Sequence, residues 1–437
     1  MRVQGRTWKL LPVLIGTLVL LSAIETNASA APDRPRIEIR ISPSKGHWVK
    51  SHSPHLRFRT PGLKAAAFTC QSDSGELAVC QSPFRAVNLR DGRHRFRVRA
   101  FSEAGELLAV GTRRFTVDTK PPHTRFQRSP KRRIETIGKR AKVTMRVRKG
   151  PRVRKLQCRV DRKAWHRCHR RITVWALPGS HRIRIRAVDK AGNRDRTPAV
   201  RRWKVSRWEP GIRAARRYAA RRPGRASFAV DVGWRTQGLR INQRARTAST
   251  IKVLLMAAYL QRRGVRHRRL DSGERNLLGI MIRHSDNGAA STVRNIVGSR
   301  AVVRVARQGG MKRFRYSPVW GTCEVTARDF ATFMRRLKDL IPERHRGFAL
   351  HQLESITGSQ RWGIGKVRPR GWKLYFKGGW GISDGHYGGV VDHQVAVLRR
   401  GKWKVGIAIL TQGNSSVESG NDTLRGIARR LLRGLPR

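Results

Sequence analysis

A serine three residues ahead of a lysine, at the start of an apolar helix, is a pair suited to acyl chemistry. The chain offers it in Arg246-Thr-Ala-Ser-Thr-Ile-Lys-Val-Leu-Leu-Met-Ala-Ala-Tyr259. The stretch reads as a turn followed by a helix, and the i, i+3 spacing sets the Ser249 hydroxyl and the Lys252 amine on one face. A serine hydroxyl is a weak nucleophile until a base within hydrogen-bond reach takes its proton. Lysine can be that base once burial disfavours its charged form. The helix start adds unpaired N–H groups and partial positive charge, both suited to a developing oxyanion. The pattern alone is cheap, because Ser42-Pro-Ser-Lys45 has it too, yet that copy runs into Gly46-His-Trp48 with no apolar helix behind it.

Two further motifs follow. Ser285-Asp-Asn287 opens a helix 36 residues after Ser249, and Lys377-Gly-Gly-Trp380 lies on a late strand. Taken singly, the first is an ordinary helix cap and the second an ordinary turn. His284 reads as a solvent-facing helix residue, and Asp384 and His386 read as cleft rim or plain loop. No metal-ligand cluster and no phosphate-cradling loop stands out, so neither metal nor cofactor is expected.

These motifs need a frame, which begins at Trp208. Residues 209–220 read as a helix, and residues 226–232 and 238–242 as strands leading into the Ser249 helix. Helices are expected near 274–284, 286–297, 299–308 and 326–340. Strands follow near 372–378, 386–398 and 402–411, then a helix over 422–435. Strands, a helical block, more strands and a last helix imply an α+β domain over 207–437, with helices packed on an antiparallel sheet.

The preceding region is a repeat. Cys70 and Cys80 recur 88 residues later as Cys158 and Cys168. Asp91-Gly-Arg-His-Arg-Phe-Arg-Val-Arg-Ala100 recurs as Pro178-Gly-Ser-His-Arg-Ile-Arg-Ile-Arg-Ala187. Both stretches alternate with period two, the signature of a strand with one buried face, here with arginine on the wet face. Two equal Cys-x9-Cys pairs suggest the local disulfides Cys70–Cys80 and Cys158–Cys168, a spacing unusual for zinc. Cys323 is left over and reads as a small buried residue. Each unit implies a small all-β sandwich, one over 35–120 and one over 121–206, joined at Val117-Asp-Thr-Lys-Pro-Pro122. The units resemble the immunoglobulin-like repeats of exported bacterial proteins. The carriers are the Cys-x9-Cys pair, the Gly-x-His strand and the Val-Asp-Thr-x-Pro-Pro linker.

The order Ser-x-x-Lys, Ser-Asp-Asn, Lys-x-Gly in such a frame resembles the class A β-lactamases and penicillin-binding proteins, whose signature it is. Ser355-Ile-Thr-Gly-Ser-Gln-Arg-Trp-Gly-Ile364 and Ala408-Ile-Leu-Thr-Gln-Gly-Asn414 strengthen the resemblance. The resemblance implies Ser249 as the acylated nucleophile and Lys252 as its proton acceptor. It implies Ser285 as proton shuttle to the leaving nitrogen, Asn287 as holder of the substrate amide and Lys252, and Lys377 as a positive charge. Gly379 and Trp380 would line the substrate strand, with the N–H groups of Ser249 and Trp380 as oxyanion hole. Two departures stand out. Gly378 replaces a hydroxyl residue that binds a substrate carboxylate, a loss that an arginine or Ser383 would have to make good. No Glu-x-x-Leu-Asn precedes Val325, and Glu324 has neither the motif nor its register as a deacylating base.

The N-terminus gives the compartment. Arg2, Arg6 and Lys9 precede an apolar run from Leu10 to Ala23, and Ala28-Ser-Ala30 offers a cleavage pattern, so residues 1–30 read as a signal peptide. An uncleaved anchor is the alternative, and no later stretch is apolar enough to span a bilayer. Secretion or envelope association is therefore expected. Lys and Arg outnumber acids 96 to 27, a net charge of +69 that draws anionic envelope polymers. Trp165, Trp175, Trp203 and Trp208 among arginines loosely fit a nucleic-acid platform, but an exported, disulfide-bearing chain disfavours that partner. The expectation is an exported serine hydrolase acting on a β-lactam or peptidoglycan-derived amide. Alternatives are a D-Ala-D-Ala peptidase, a slow-turnover penicillin binder or a non-enzymatic wall-adhesion protein.

Overall fold

Period-two burial is written most plainly in Ala141–Arg148, where Ala141, Val143, Met145 and Val147 are buried and the residues between them exposed. The strand bearing it belongs to a computed structural model describing residues 36–382 and 388–436. The expected signal segment and Ser383, Asp384 and His386 lie outside the described residues. The chain forms two units, one of the residues up to Pro121 with Asp189–Arg194, the other of Pro122–Val188 with Asp195–Arg437.

In the first unit, strands Glu38–Ser42, His55–Arg59 and Phe84–Arg85 make one sheet, and Gly92–Phe101 and Leu107–Val117 are central to a six-stranded second. Leu56, Phe58, Phe96, Val98 and Phe115 share its core. In the second unit, Ala141–Arg148 pairs with Arg125–Arg128 and Arg171–Ala176, beside a five-stranded sheet containing Gly179–Asp189 and Ala199–Arg207. Met145, Ile183, Ile185 and Trp203 are buried there. Both expected disulfides are present, each with a Cα–Cα distance of 5.8 Å. The repeated histidine has a physical role that the sequence hid. His94 Nδ1 meets Asp73 Oδ2 at 2.7 Å and His181 Nδ1 meets Asp161 Oδ2 at 3.0 Å, tying strand to turn in each repeat.

The rest of the second unit is built on a five-stranded antiparallel sheet in the order Thr236–Leu239, Arg225–Asp231, Trp403–Asn414, Val390–Arg400, Lys373–Ile382. Helix α1 (Ile212–Ala219) precedes it, and α2 (Lys252–Leu260), α3 (Ser272–Arg283), α4 (Asn287–Gln308), α5 (Ala327–Leu340) and α6 (Arg346–Glu354) intervene before its last three strands. Helix α7 (Val417–Leu431) closes the chain against α1, and α5 lies on the central strands. Trp208 N donates to Thr136 O at 2.9 Å and Trp234 Nε1 to Ile137 O at 2.9 Å, joining the sandwich to this domain.

Several boundaries moved. The strand expected over 238–242 ends at Leu239, because Arg240 turns to φ +46. The last helix starts at Val417 rather than residue 422, since the Ser416 side chain caps it by accepting from Ser419 N at 3.1 Å. The helices expected at 286–297 and 299–308 are continuous apart from a break at Gly298, φ +70. Helix α6 was not anticipated. Among the described residues no helix is long and apolar enough to cross a membrane.

One polar knot fixes the angle between α2 and α3. Glu274, in a capping box with Asp271, accepts from Tyr259 Oη at 3.0 Å and from both terminal nitrogens of Arg268 at 2.7 Å. The Arg268 guanidinium, first among the causes, holds the Glu274 carboxyl down at about 2. Its folded pKa lies below its unfolded value, so this stability is present above the unfolded pKa and is lost as pH falls towards 2. With Arg268 half-exposed and solvent-screened, Glu274→Gln should cost about 1–2 kcal/mol at neutral pH. Acid titration of thermal unfolding should show a flatter fall below pH 4.5 in the variant than in the wild type.

Candidate active site

Ser249 sits in a 3-10 turn, Ala248–Ile251, that runs directly into α2. The sequence reading put it in the first turn of the α-helix. The tighter turn has three residues per repeat, which brings positions i and i+3 closer to eclipse. Ala248 holds φ +43, a left-handed conformation costly for a residue with a side chain. The turn is pinned from behind by Thr247 N donating to Cys323 O at 2.8 Å. Every residue of α2 is buried, Lys252 included. Such a helix is apolar all round because the domain wraps it. Ser249 itself stays half-buried.

Lys252 Nζ donates to Ser285 O at 2.6 Å, Ser285 Oγ at 3.2 Å and Asn287 Oδ1 at 2.8 Å. Lys377 Nζ, from the edge strand, donates to the same Ser285 Oγ at 2.8 Å and to Gly378 O at 2.9 Å. Ser285 occupies the joint between α3 and α4 at φ +60, so three consecutive side chains diverge. Ser285 meets both lysines, Asn287 meets Lys252, and Asp286 caps α4 by accepting from Ala289 N at 2.6 Å. Three motifs distant in sequence thus meet at one hydroxyl.

Burial governs the charges. Desolvation lowers Lys252 to about 8, opposed by the negative charge of Asp286. Lys377 is fully buried and is pushed well below the usual lysine range, first by desolvation and then by the positive charge of Lys252. The Trp320 ring lies 4.9 Å from Lys252 Nζ, and its Nε1 donates to Ser291 Oγ at 3.1 Å. A ring so placed stabilises the cation modestly while keeping water off it.

Gly379 is required where it stands, since a Cβ there would come within 2.7 Å of Ser249 N and 2.8 Å of Thr250 N. The strand can therefore pass close against the serine turn. The next residue, Trp380, is 38% exposed, so its ring stands at the site's edge. Gly378 faces the other way, with Trp362 Cζ2 3.2 Å from where its Cβ would be. Glu324 lies on a short strand, 43% exposed, beside Arg244 at 3.7 Å and Arg315 at 4.0 Å. Cys323 is buried and free, accepts from Ser317 N at 3.2 Å, and has its thiol pKa raised by desolvation. His284 is exposed. Sequence reasoning missed Trp320, Trp362 and Asp392. For the two tryptophans the signal was a tryptophan beside glycine, which is too common to single out, and Asp392 lies inside a strand with no motif around it.

The model of the β-lactamase enzyme family matches residues 274–435. The match takes in Ser285, Asn287 and Lys377 and begins after Ser249 and Lys252, so the C-terminal region carries a β-lactamase-like domain. Among solved structures, a β-lactamase from Sphaerobacter thermophilus is 20% identical at a TM-score of 0.44, covering 52% of this chain and 98% of that one. A class A β-lactamase from Mycobacterium abscessus is 21% identical at 0.43, covering 51% and 98%. No curated protein matches the chain in sequence.

Lysine side-chain NMR across pH should show Lys252 titrating near 8. Asn287→Leu removes an acceptor that the ammonium form uses, so its titration should move lower still, with the charged form losing a hydrogen bond worth about 1.5–3 kcal/mol.

Proposed function

We propose that the C-terminal domain is a serine acyl-transfer enzyme that takes a β-lactam or peptidoglycan-type amide onto Ser249 and releases it slowly. The observation that carries this reading is the convergence of Lys252 and Lys377 on Ser285 Oγ, beside the turn that presents Ser249. In the neutral fraction of Lys252, Nζ accepts the Ser249 proton and Oγ attacks the carbonyl carbon. The oxyanion is received by the N–H groups of Ser249 and Trp380, a term worth about 3–4 kcal/mol in such sites. The proton then passes from Lys252 through Ser285 Oγ to the leaving nitrogen as the C–N bond breaks, leaving Ser249 acylated.

Slow release follows from the charges around Lys252. Among the described residues Asp286 is the carboxylate whose charge acts on it, and Asp286 is turned to cap α4. Glu324 is engaged with arginines at the surface. Among the described residues, a water attacking the acyl-enzyme thus has Lys252 as its available base. The two N-terminal sandwiches, read as immunoglobulin-like modules of an exported chain, would hold the enzyme at the envelope. Their strands carry arginine on the outer face, as in Gly92–Phe101, which suits anionic wall polymers.

Mass spectrometry after mixing with a fluorescent penicillin tests this. The wild type should form an adduct lasting hours, and Ser249→Ala none. Lys252→Met should slow acylation about 10²–10⁴-fold, the usual worth of a positioned base. Because the neutral amine is the reactive form, the acylation rate should rise with pH up to about 8 and level off above it. An adduct lost within minutes would mean an efficient deacylating base, and no adduct at all would overturn the β-lactam reading.

A further inference from the structure

The strand Lys373–Ile382 alternates its faces, with Lys377 and Gly379 towards the serine turn and Gly378 and Trp380 away from it. On that second face the neighbours of Gly378 are Trp362 and Gln394. Trp362 meets Trp380 edge-on, with ring centroids 4.9 Å apart at 82°. Its Nε1 donates to Asp392 Oδ1 at 3.2 Å. Asp392 is fully buried, and its Oδ2 has no partner among the described residues. Burial raises its carboxyl to about 8, so it is a neutral acid at neutral pH. Gln394 is already committed, donating to Trp362 O at 3.0 Å and accepting from Ile364 N at 2.6 Å. Arg361, the cation next to Trp362, is turned to Glu354 O and lies 5.4 Å from the Phe376 ring.

Among the described residues, an anion placed beside Gly378 would therefore find an indole whose N–H is already given to Asp392, a committed amide and a fully buried uncharged acid, and would lose its water without gaining a cation. A flat uncharged group would instead find two rings at right angles, both with exposed surface. Resting on the serine acylation proposed above, we infer that this strand edge takes an uncharged, apolar or aromatic part of the acyl donor rather than a carboxylate. Trp362 and Trp380 are then the specificity-determining side chains.

Benzylpenicillin as its free acid and as its methyl ester, each mixed with the full-length protein, separates the cases by the rate of Ser249 adduct formation. The ester should react at least as fast as the acid. Trp362→Leu, which keeps an apolar filler and removes the ring, should slow the ester by about tenfold, or ~1.4 kcal/mol, and slow the acid by less. A wild-type preference for the acid of about tenfold or more would overturn this inference and leave serine acylation standing. No adduct with either form would overturn both. The wild-type ratio decides the matter even if the variant does not fold.

Discussion

Two lysines buried against a single hydroxyl are the constraint from which the rest of this domain follows. Two ammonium groups cannot both stay charged at hydrogen-bond distance from Ser285 Oγ without a counter-charge, and the only carboxylate acting on Lys252 among the described residues is committed to a helix cap. Desolvation therefore pushes both amines towards neutrality, and the charge of Lys252 adds to it at Lys377. A neutral amine beside a serine turn is a base. The same arrangement costs folding stability, and α2, which carries Lys252, is buried on every side.

Geometry at the cluster is enforced by backbone conformations that few residues tolerate. Ala248 and Ser285 both hold positive φ without being glycine, one on each side of the site. Such residues persist only where neighbouring structure over-determines them. Here Cys323 O fixes the first turn, and the Glu274 knot fixes the helix leading to the second. Gly379 completes the set by letting the edge strand approach the amides of Ser249 and Thr250.

The aromatic residues give the cleft its character. Trp320 covers Lys252, while Trp362 and Trp380 occupy the strand edge, so rings border the lysine pair, with Asp286 the carboxylate acting on Lys252. On the sandwich strands positive charge lies on the wet faces, where alternation places arginine outward without disturbing the core. Charge in the two regions thus obeys different rules. Outside it is solvated and plentiful, and inside it is suppressed by burial.

Period-two alternation was enough to read the N-terminal region as β-strands from the sequence, because each strand's burial is settled by its own residue pattern. The order of helices and strands after Trp208 was legible for the same reason, with errors where a local cap or a left-handed residue moved an end, as at Ser416 and Arg240. The motif residues Ser249, Lys252, Ser285, Asn287 and Lys377 were legible as candidates, since their types and spacing carry chemistry. The resemblance anticipated the contact of Asn287 with Lys252, but most other partners were not legible. Lys252 bonds Ser285 and Asn287, Asp286 turns away to cap α4, Glu324 faces arginines, and Trp362 fills the space beside Gly378. Those contacts join residues tens of positions apart, and the burial that shifts the lysines exists only once the helices close over them. Sequence therefore determined which chemical groups are available, and tertiary packing decided their partners and their protonation.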